Sequence, residues 1–231
     1  MGRGGAAVFP RAELAASLAQ GVARLAERHP DEPRLVSLAD SPRQERLLDW
    51  LALLHRWNQA HNLTSVRSPA QMVVRHLLDC LVILPWVRGG QPLLDVGSGP
   101  GLPGAVLAIA DPQLSVTLVD SNLKMTRFAE LAAMQLGLGN IDCLRTRVEE
   151  MEDQRTWPQV VSRAFASLED FLALAGPRCA PGGRMLAMKG RRSEALPQSL
   201  PPGWQVEEVV ALNVPFLDAE RHLVIIRKEE I

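Results

Sequence analysis

Residues 95–104 read DVGSGPGLPG and contain glycines at positions 97, 99, 101 and 104, directly after an apolar segment. Glycine allows the backbone to turn sharply and to approach a ligand closely, because it has no Cβ. A tight turn between a strand and a helix can need glycines for steric reasons alone. Four glycines within this short segment favour instead a loop that binds a cofactor.

The spacing of these glycines argues against two common nucleotide sites. A dinucleotide-binding loop has glycine at the sixth position counted from Gly97, where this chain has Leu102. The loop also lacks the Gly-Lys-Ser/Thr end of a phosphate-binding P-loop. A carboxylate at Asp95 suits a cofactor with a cationic amino-acid end and would repel a pyrophosphate. The loop therefore predicts S-adenosylmethionine as the cofactor, and a nicotinamide-dependent oxidoreductase is the more distant alternative.

Two later segments offer the rest of a cofactor site. Asp120 ends the segment SVTLVD about 20 residues beyond the glycines, the separation at which a βαβ unit places a carboxylate for ribose hydroxyls. Asp120 could equally cap a helix, and both roles can coexist. The segment RVEEM at 147–151 offers the backbone of Val148 and the carboxylate of Glu149 to an adenine edge, or forms a solvated acidic surface.

Cations gather in two segments without acids, 50–78 and 171–193. In an open parallel sheet, residues that follow the strands line one crevice, so Arg163 and Lys189 should converge near the cofactor. Such a basic rim suits the phosphates of a nucleic acid, although ordinary surface charge is the alternative. His76 lies among apolar neighbours and could be a core histidine instead of a ligand-binding one.

The hydrophobic pattern after residue 89 predicts the elements that position these residues. Short β-branched segments alternate with amphipathic ones, as in a parallel sheet with crossover helices. The predicted strands are 92–96, 115–119, 141–144, 159–162, 184–188, 205–212 and 222–227. The predicted helices between them are 103–110, 124–136 and 168–178.

We divide the chain into an N-terminal extension at 1–40, a helical cap at 41–88 and a main domain at 89–231. The extension should contain a short helix whose apolar stripe is Leu14, Leu18, Val22 and Leu25. In the cap, Ser-Pro pairs at 41–42 and 68–69 start two helices, the second of which runs to Pro85.

Composition limits the class of protein. The 47% of apolar residues suffice for a core, and a net charge of −1 indicates that any nucleic acid is bound by local patches and not by a global field. Three isolated cysteines favour buried reduced thiols over a disulfide framework or a metal site. The chain has no apolar stretch of the roughly 20 residues that span a bilayer, so we expect a cytoplasmic protein.

Several segments together resemble the RsmG (GidB) family of bacterial small-subunit ribosomal RNA methyltransferases. They are NLTSVRS at 62–68, VRHLLD at 74–79, LDVGSGPGLPG at 94–104, RVEEM at 147–151, VSRAFASL at 161–168, MKG at 188–190 and ERHLVII at 220–226. The resemblance covers roughly residues 41–228. It implies a Rossmann-like class I methyltransferase, an α/β fold with a mostly parallel seven-stranded sheet, an antiparallel last strand and an N-terminal helical cap. It also implies methylation of N7 of guanine 527 in 16S rRNA.

The loop and the resemblance together define the expected site. The cofactor-binding residues are Asp95, Gly97, Ser98, Gly99, Leu102, Asp120, Val148, Glu149 and Arg163. The substrate-binding residues are Arg67, Arg75, His76, Phe165, Lys189, Arg191 and Arg192. Since the chain has no tyrosine, Phe165 and His76 are the candidates for stacking on the base.

We expect no catalytic acid or base and no metal, because guanine N7 has an in-plane lone pair and no proton to lose. The expected partner is 16S rRNA or the small ribosomal subunit, and the expected oligomeric state is a monomer without membrane attachment. A class I methyltransferase acting on a protein or a small molecule is the main alternative. A non-catalytic ribosome-binding module that retained the fold is a further one.

Overall fold

The structure is a computed structural model that describes residues 9–152, 154–163, 165, 167–191 and 200–230. Its α-helices are α1 (Arg11–Arg28), α2 (Pro33–Ala39), α3 (Arg43–His61), α4 (Pro69–Met72), α5 (Asp79–Leu81), α6 (Gly104–Ala110), α7 (Leu123–Gln135) and α8 (Leu168–Ala175). Its strands are β1 (Leu93–Val96), β2 (Val116–Val119), β3 (Ile141–Leu144), β4 (Trp157–Ser162), β5 (Cys179–Lys189), β6 (Trp204–Ala211) and β7 (His222–Lys228). A π-helix spans Val73–Leu78, and short 3-10 helices span Leu84–Trp86, Val148–Glu150 and Gly176–Arg178.

The strands form one sheet in the order β3-β2-β1-β4-β5-β7-β6. The pairs β2–β3, β1–β2, β1–β4 and β4–β5 are parallel, whereas β7 runs antiparallel to both β5 and β6. The prediction of a mostly parallel seven-stranded sheet with an antiparallel last strand is confirmed. The strand order reverses between β1 and β4, and in open sheets ligands bind beyond the carboxyl ends of the strands at such a point.

Helices cover both faces of the central strands. Every residue of β1 and β2 is buried, as expected of parallel strands with a layer on each side. One hydrophobic cluster joins the N-terminal helices, α6 and α7 to one face of the sheet. A second cluster joins α8 to the other face through Phe171 and Leu172. The strands that lead to the carboxyl edge of the sheet are therefore packed between helices on both faces.

Helix α1 is longer than the short helix that its sequence predicts. It has 18 residues, and the predicted stripe is buried at Leu14, Leu18, Val22 and Leu25. A Cβ on Gly21 would lie 2.5 Å from Cδ1 of Leu78, so α1 approaches the π-helix closely at this glycine. Most helical stability in proteins comes from packing of an apolar face, so burial of this stripe stabilises α1.

The second helix of the cap is interrupted. Its sequence predicts one α-helix from Pro69 onward, but a π-helix separates α4 from α5. Four consecutive residues at the end of the π-helix and the start of α5, His76, Leu77, Leu78 and Asp79, are buried. Short π segments inside α-helices occur frequently at functional sites.

The three cysteines are free thiols. Burial raises the pKa of Cys80 and of Cys143 to about 12 and that of Cys179 to about 11, so none is a reactive thiolate. Among the residues that the structure describes, no helix is both long enough and apolar enough to cross a membrane.

Candidate active site

The glycine loop, residues 95–104, turns back from β1 through three glycines with positive φ. These angles are 66° at Gly97, 54° at Gly99 and 85° at Gly101. The amides of Gly97 and Ser98 donate to the carbonyl of Val119, at 2.8 and 3.1 Å, and so attach the loop to the end of β2. The buried side chain of Leu102 lies beneath the turn. The loop backbone is therefore fixed before any ligand binds.

Asp95 anchors the loop from below. Its side chain is fully buried, and one carboxylate oxygen accepts the amide of Gly104 at 2.7 Å, at the first residue of α6. The other oxygen has no hydrogen-bond partner in the described part of the chain. Burial raises the pKa of Asp95 to about 7, although the Gly104 amide and the charge of Arg163 lower it in part.

Asp120 joins the loop to the start of α7. Its carboxylate accepts the amides of Gly99 and Asn122, both at 2.8 Å. The side chain that caps α7 is that of Asn122, two residues after Asp120. Asp120 is therefore not the cap of this helix. An ionised carboxylate has about four lone-pair sites, so Asp120 can also accept ribose hydroxyls.

Val148 and Glu149 lie on the 3-10 turn that follows β3. Val148 is buried, whereas the partly exposed carboxylate of Glu149 lies 3.7 Å from a guanidinium nitrogen of Arg147. The buried guanidinium of Arg178 donates to the carbonyl of Val148 at 3.3 Å and to that of Met151. This arginine belongs to the cation-rich segment of the sequence, yet the structure assigns it to the support of this turn.

A second feature of the carboxyl edge is a basic cavity of about 390 Å³. It lies between the cap and the ends of β4 and β5. It is lined by Thr64, Ser65, Val66, Arg75, His76, Asp79, Arg163, Met188, Lys189, Gly190 and Arg221. Four of these side chains are cationic and one is acidic, so the cavity suits an anionic ligand.

Asp79 is the acid of the basic cavity, and it binds two arginines. Its side chain is 3% exposed, and its oxygens lie 2.8 Å from Nε of Arg221 and 3.4 Å from Nη1 of Arg163. The same nitrogen of Arg163 donates to the carbonyl of Arg75 at 3.1 Å. Arg163, predicted on the cofactor side, therefore faces the predicted substrate residues.

His76 is a neutral histidine on the π-helix. Its Nε2 lies 3.0 Å from the hydroxyl of Thr64. Burial, followed by the charge of Arg163, lowers the pKa of His76 to about 4. The side chain is largely buried and also lines the basic cavity, and contact between His76 and a ligand stays a prediction.

Lys189 ends β5 inside the cavity, where its ammonium donates to the carbonyl of Phe165 at 2.7 Å. The ring of Phe165 lies 5.2 Å from that of Phe171, measured between centroids. Both rings belong to the cluster under α8. The structure thus uses Phe165 in packing, and stacking of this ring on a base stays a prediction.

Two further predicted cations, Arg67 and Arg191, are not among the residues that line the basic cavity. Arg67 donates to the carbonyl of Asn58 at 3.0 Å and to the amide oxygen of Asn62 at 2.6 Å, so it closes the end of α3. Arg191 is exposed just beyond β5. Arg192 lies outside the described residues.

Asp79 and Arg221 were assigned no role from the sequence. Asp79 lies in the segment VRHLLD and Arg221 in the segment ERHLVII. A usable signal exists for Asp79, because a carboxylate between Leu78 and Cys80 on an apolar helix face is costly unless it is paired. No comparable signal marks Arg221. Within the described ranges, no group of three His, Cys, Asp or Glu side chains is placed to hold a metal ion.

Solved structures with the same architecture support the assignment of the fold. The crystal structure of TrmN from Thermus thermophilus has a TM-score of 0.54 and 22% identity, covering 75% of this chain and 52% of that one. A SAM-dependent methyltransferase from Aquifex aeolicus has a TM-score of 0.50 and 17% identity, covering 71% of this chain and 96% of that one. Together with the strand order, they show the predicted Rossmann-like fold of class I methyltransferases.

Sequence comparison gives the family. The family model described as GidB, rRNA small subunit methyltransferase G, matches residues 43–224. A relative from Marinobacter nauticus, named ribosomal RNA small subunit methyltransferase G, is 47% identical over 84% of this chain and 90% of its own length. The chain belongs to the GidB family of small-subunit rRNA methyltransferases.

Proposed function

We propose that this protein transfers a methyl group from S-adenosylmethionine to N7 of guanine 527 in 16S rRNA. The observation that supports this most strongly is that the glycine loop and the basic cavity adjoin each other at the end of β4. The hydroxyl of Ser162 at the end of β4 donates to the carbonyl of Val96 at 2.7 Å. Arg163, the next residue, already lines the basic cavity.

The residues of the glycine loop fit the cofactor. A Cβ on Gly99 would meet no atom within 4 Å, so open space adjoins the backbone there. Asp120 would accept the ribose hydroxyls, and the turn at Val148 and Glu149 would receive the adenine. The fully buried Asp95 shapes the loop through the Gly104 amide. When bound, S-adenosylmethionine supplies an electrophilic methyl group on a sulfonium.

The basic cavity fits the RNA. Arg75, Arg163, Lys189 and Arg221 exceed the charge of Asp79 by three, counting one unit for each side chain. Phosphate contacts dominate the affinity of proteins for nucleic acids and are made chiefly by lysine and arginine. The same cations donate hydrogen bonds to O6 of the guanine. The partner is the small ribosomal subunit, and the reaction takes place in the cytoplasm.

Methylation of guanine N7 places few demands on protein chemistry. The N7 lone pair would form the new bond to the methyl carbon while the carbon–sulfur bond breaks and its electron pair stays on sulfur as a thioether. No side chain would have to remove a proton. His76 is neutral at physiological pH and does not act as a proton donor. The residues of the site therefore act by alignment and by excluding water.

The proposal is tested with purified protein, radiolabelled S-adenosylmethionine and small ribosomal subunits from cells in which the gene is deleted. We expect label in 16S rRNA, and reduction followed by aniline cleavage should place N7-methylguanine at position 527. Label at another nucleotide would correct the position. Label confined to ribosomal proteins or to small molecules would refute the proposal in favour of another methyl acceptor.

A further inference from the structure

Asp79 connects three parts of the chain that are distant in sequence. It follows the π-helix, Arg163 follows β4, and Arg221 precedes β7. The carboxylate is buried between Leu78 and Cys80, which are themselves fully buried. A buried charge needs a partner to offset its lost hydration, so the two arginines are held to Asp79 with little freedom.

The two guanidiniums keep donors for a ligand. In the described part of the chain, Arg221 uses Nε for Asp79 and Nη1 for the carbonyl of Glu220. Arg163 uses Nη1 for both Asp79 and the carbonyl of Arg75. A guanidinium carries five N–H donors, so each arginine retains more than half of them. Both side chains line the basic cavity.

We propose that Arg221 binds a phosphate of the substrate RNA and that Asp79 is the positioning residue that orients Arg221 and Arg163 for this contact. The guanidinium fork matches a phosphate in two parallel hydrogen bonds, which requires a fixed orientation. One buried carboxylate bound to both arginines provides that orientation. The inference rests on the proposed function, because it takes RNA as the ligand of the basic cavity.

The phosphate contact is tested by the salt dependence of binding to 16S rRNA, comparing the variant Arg221→Gln with the unmodified protein. Loss of one phosphate contact should weaken binding about tenfold and lower the slope of log K against log salt by about one. Arg227→Gln is the matched control, because Arg227 is an exposed arginine of strand β7, which begins directly after Arg221. It lies 3.7 Å from Glu230 and is absent from the cavity lining. Equal slopes for Arg221→Gln and Arg227→Gln would overturn the contact.

The positioning role is tested with Asp79→Asn, which removes a negative charge from the basic cavity. If charge alone governed binding, this variant would bind RNA more tightly. Positioning predicts the opposite, a KM for the rRNA about tenfold higher. Affinity for S-adenosylmethionine, measured by calorimetry on the same sample, should stay within about twofold of that of the unmodified protein. Binding of the cofactor also shows that the variant is folded. Unchanged or tighter RNA binding by a variant that binds cofactor normally would overturn the positioning role.

The two assays separate the inference from the function on which it rests. Binding of 16S rRNA tests the phosphate contact, whereas label transfer tests methylation. If the unmodified protein binds 16S rRNA with the expected salt dependence but does not methylate it, the proposed function is refuted. The salt slope of Arg221→Gln would still decide whether Arg221 contacts a phosphate. If Asp79→Asn does not fold, the comparison of Arg221→Lys with Arg221→Gln decides the orientation instead. An ammonium keeps the charge without the fork, so Arg221→Lys should recover the salt slope but not the full affinity.

Discussion

The glycine loop is held by backbone groups that lie close together in the sequence, whereas the basic cavity is held by side chains that lie far apart. Asp95 and Gly104 are 9 residues apart, and Asp120 and Gly99 are 21 apart. In the basic cavity, Asp79 is 84 residues from Arg163 and 142 from Arg221. The first region uses acids to bind amides, and the second uses an acid to bind cations.

This difference separates two tasks at one edge of the sheet. A cofactor that is always the same molecule can be bound by a loop whose backbone contacts all lie within one βαβ unit. The proposed RNA ligand would be bound by several cations whose positions depend on the cap, on β4 and on the segment before β7. Substitutions in the glycine loop should therefore change stability and cofactor affinity, whereas those in the basic cavity should change RNA affinity.

The largest change in stability should come from the ionisation of Asp95. Because burial raises its pKa to about 7 from the ordinary value of 3.8, the folded state holds the proton more tightly than the unfolded state does. The resulting loss in the free energy of unfolding is absent below pH 3.8, grows as the pH rises towards 7 and is constant above that. Asp95→Asn keeps an acceptor for the Gly104 amide without the charge. We expect the stability of Asp95→Asn relative to the unmodified protein to rise by about 3 kcal/mol between pH 5 and 8.

Urea unfolding of both cofactor-free proteins at several pH values measures this difference. The fixed cost of placing an amide at this buried position cancels, because only the change with pH is compared. A difference that stays flat from pH 5 to 8 would show that Asp95 does not titrate in this range.

Gly104→Ala should produce the next largest effect. An added Cβ would lie 2.5 Å from Cδ2 of Leu118, 2.8 Å from the Asp95 carboxylate and 2.9 Å from Cγ1 of Val116. All three side chains are buried, so the strain should reduce the free energy of unfolding by about 2–3 kcal/mol. Gly139→Ala is the control, since its Cβ would meet nothing within 4 Å and should change stability by less than about 0.5 kcal/mol. Equal melting temperatures for the two variants would contradict this account of the loop.

Asp120→Ala should weaken the cofactor more than it weakens the fold. It removes the acceptor proposed for the ribose and also releases the amide of Gly99. We expect a loss of about 2 kcal/mol in binding of S-adenosylmethionine, or roughly thirtyfold. The exposed Asp142 of the adjacent strand β3 provides the control Asp142→Ala. Calorimetry compares the two, and an equal affinity for both variants would remove Asp120 from the cofactor site.

Much of the fold could be predicted because periodicity and turn residues are local signals. All seven strands after residue 89 lie where they were expected, within a few residues at their ends. The largest shift is at β5, which begins at Cys179 although the sequence there contains proline and two glycines. The π-helix was missed, because six residues are too few for the hydrophobic pattern to distinguish a π-helix from an α-helix.

The glycine loop could be found from the sequence for the same reason, since its amides and carboxylates lie within one βαβ unit. The partners in the basic cavity could not, because pairing across 84 or 142 residues leaves no local pattern. Arg178 illustrates this limit. It shares a cation-rich segment with Lys189, but one is bound to the turn at Val148 while the other lines the basic cavity. Only the tertiary structure distinguishes their roles.

Lys189 gives the smallest predicted effect and the most direct test of the division between the two regions. Lys189→Met removes the ammonium but keeps an apolar stem of similar length, so the packing at the end of β5 is preserved. Because other cations remain in the basic cavity, binding of 16S rRNA should weaken by about fivefold, or 1 kcal/mol. Affinity for S-adenosylmethionine should not change, since the Lys189 ammonium donates to the carbonyl of Phe165 and lines the basic cavity. A parallel loss of cofactor affinity would show that the two regions act as one site, and the division argued from their construction would have to be abandoned.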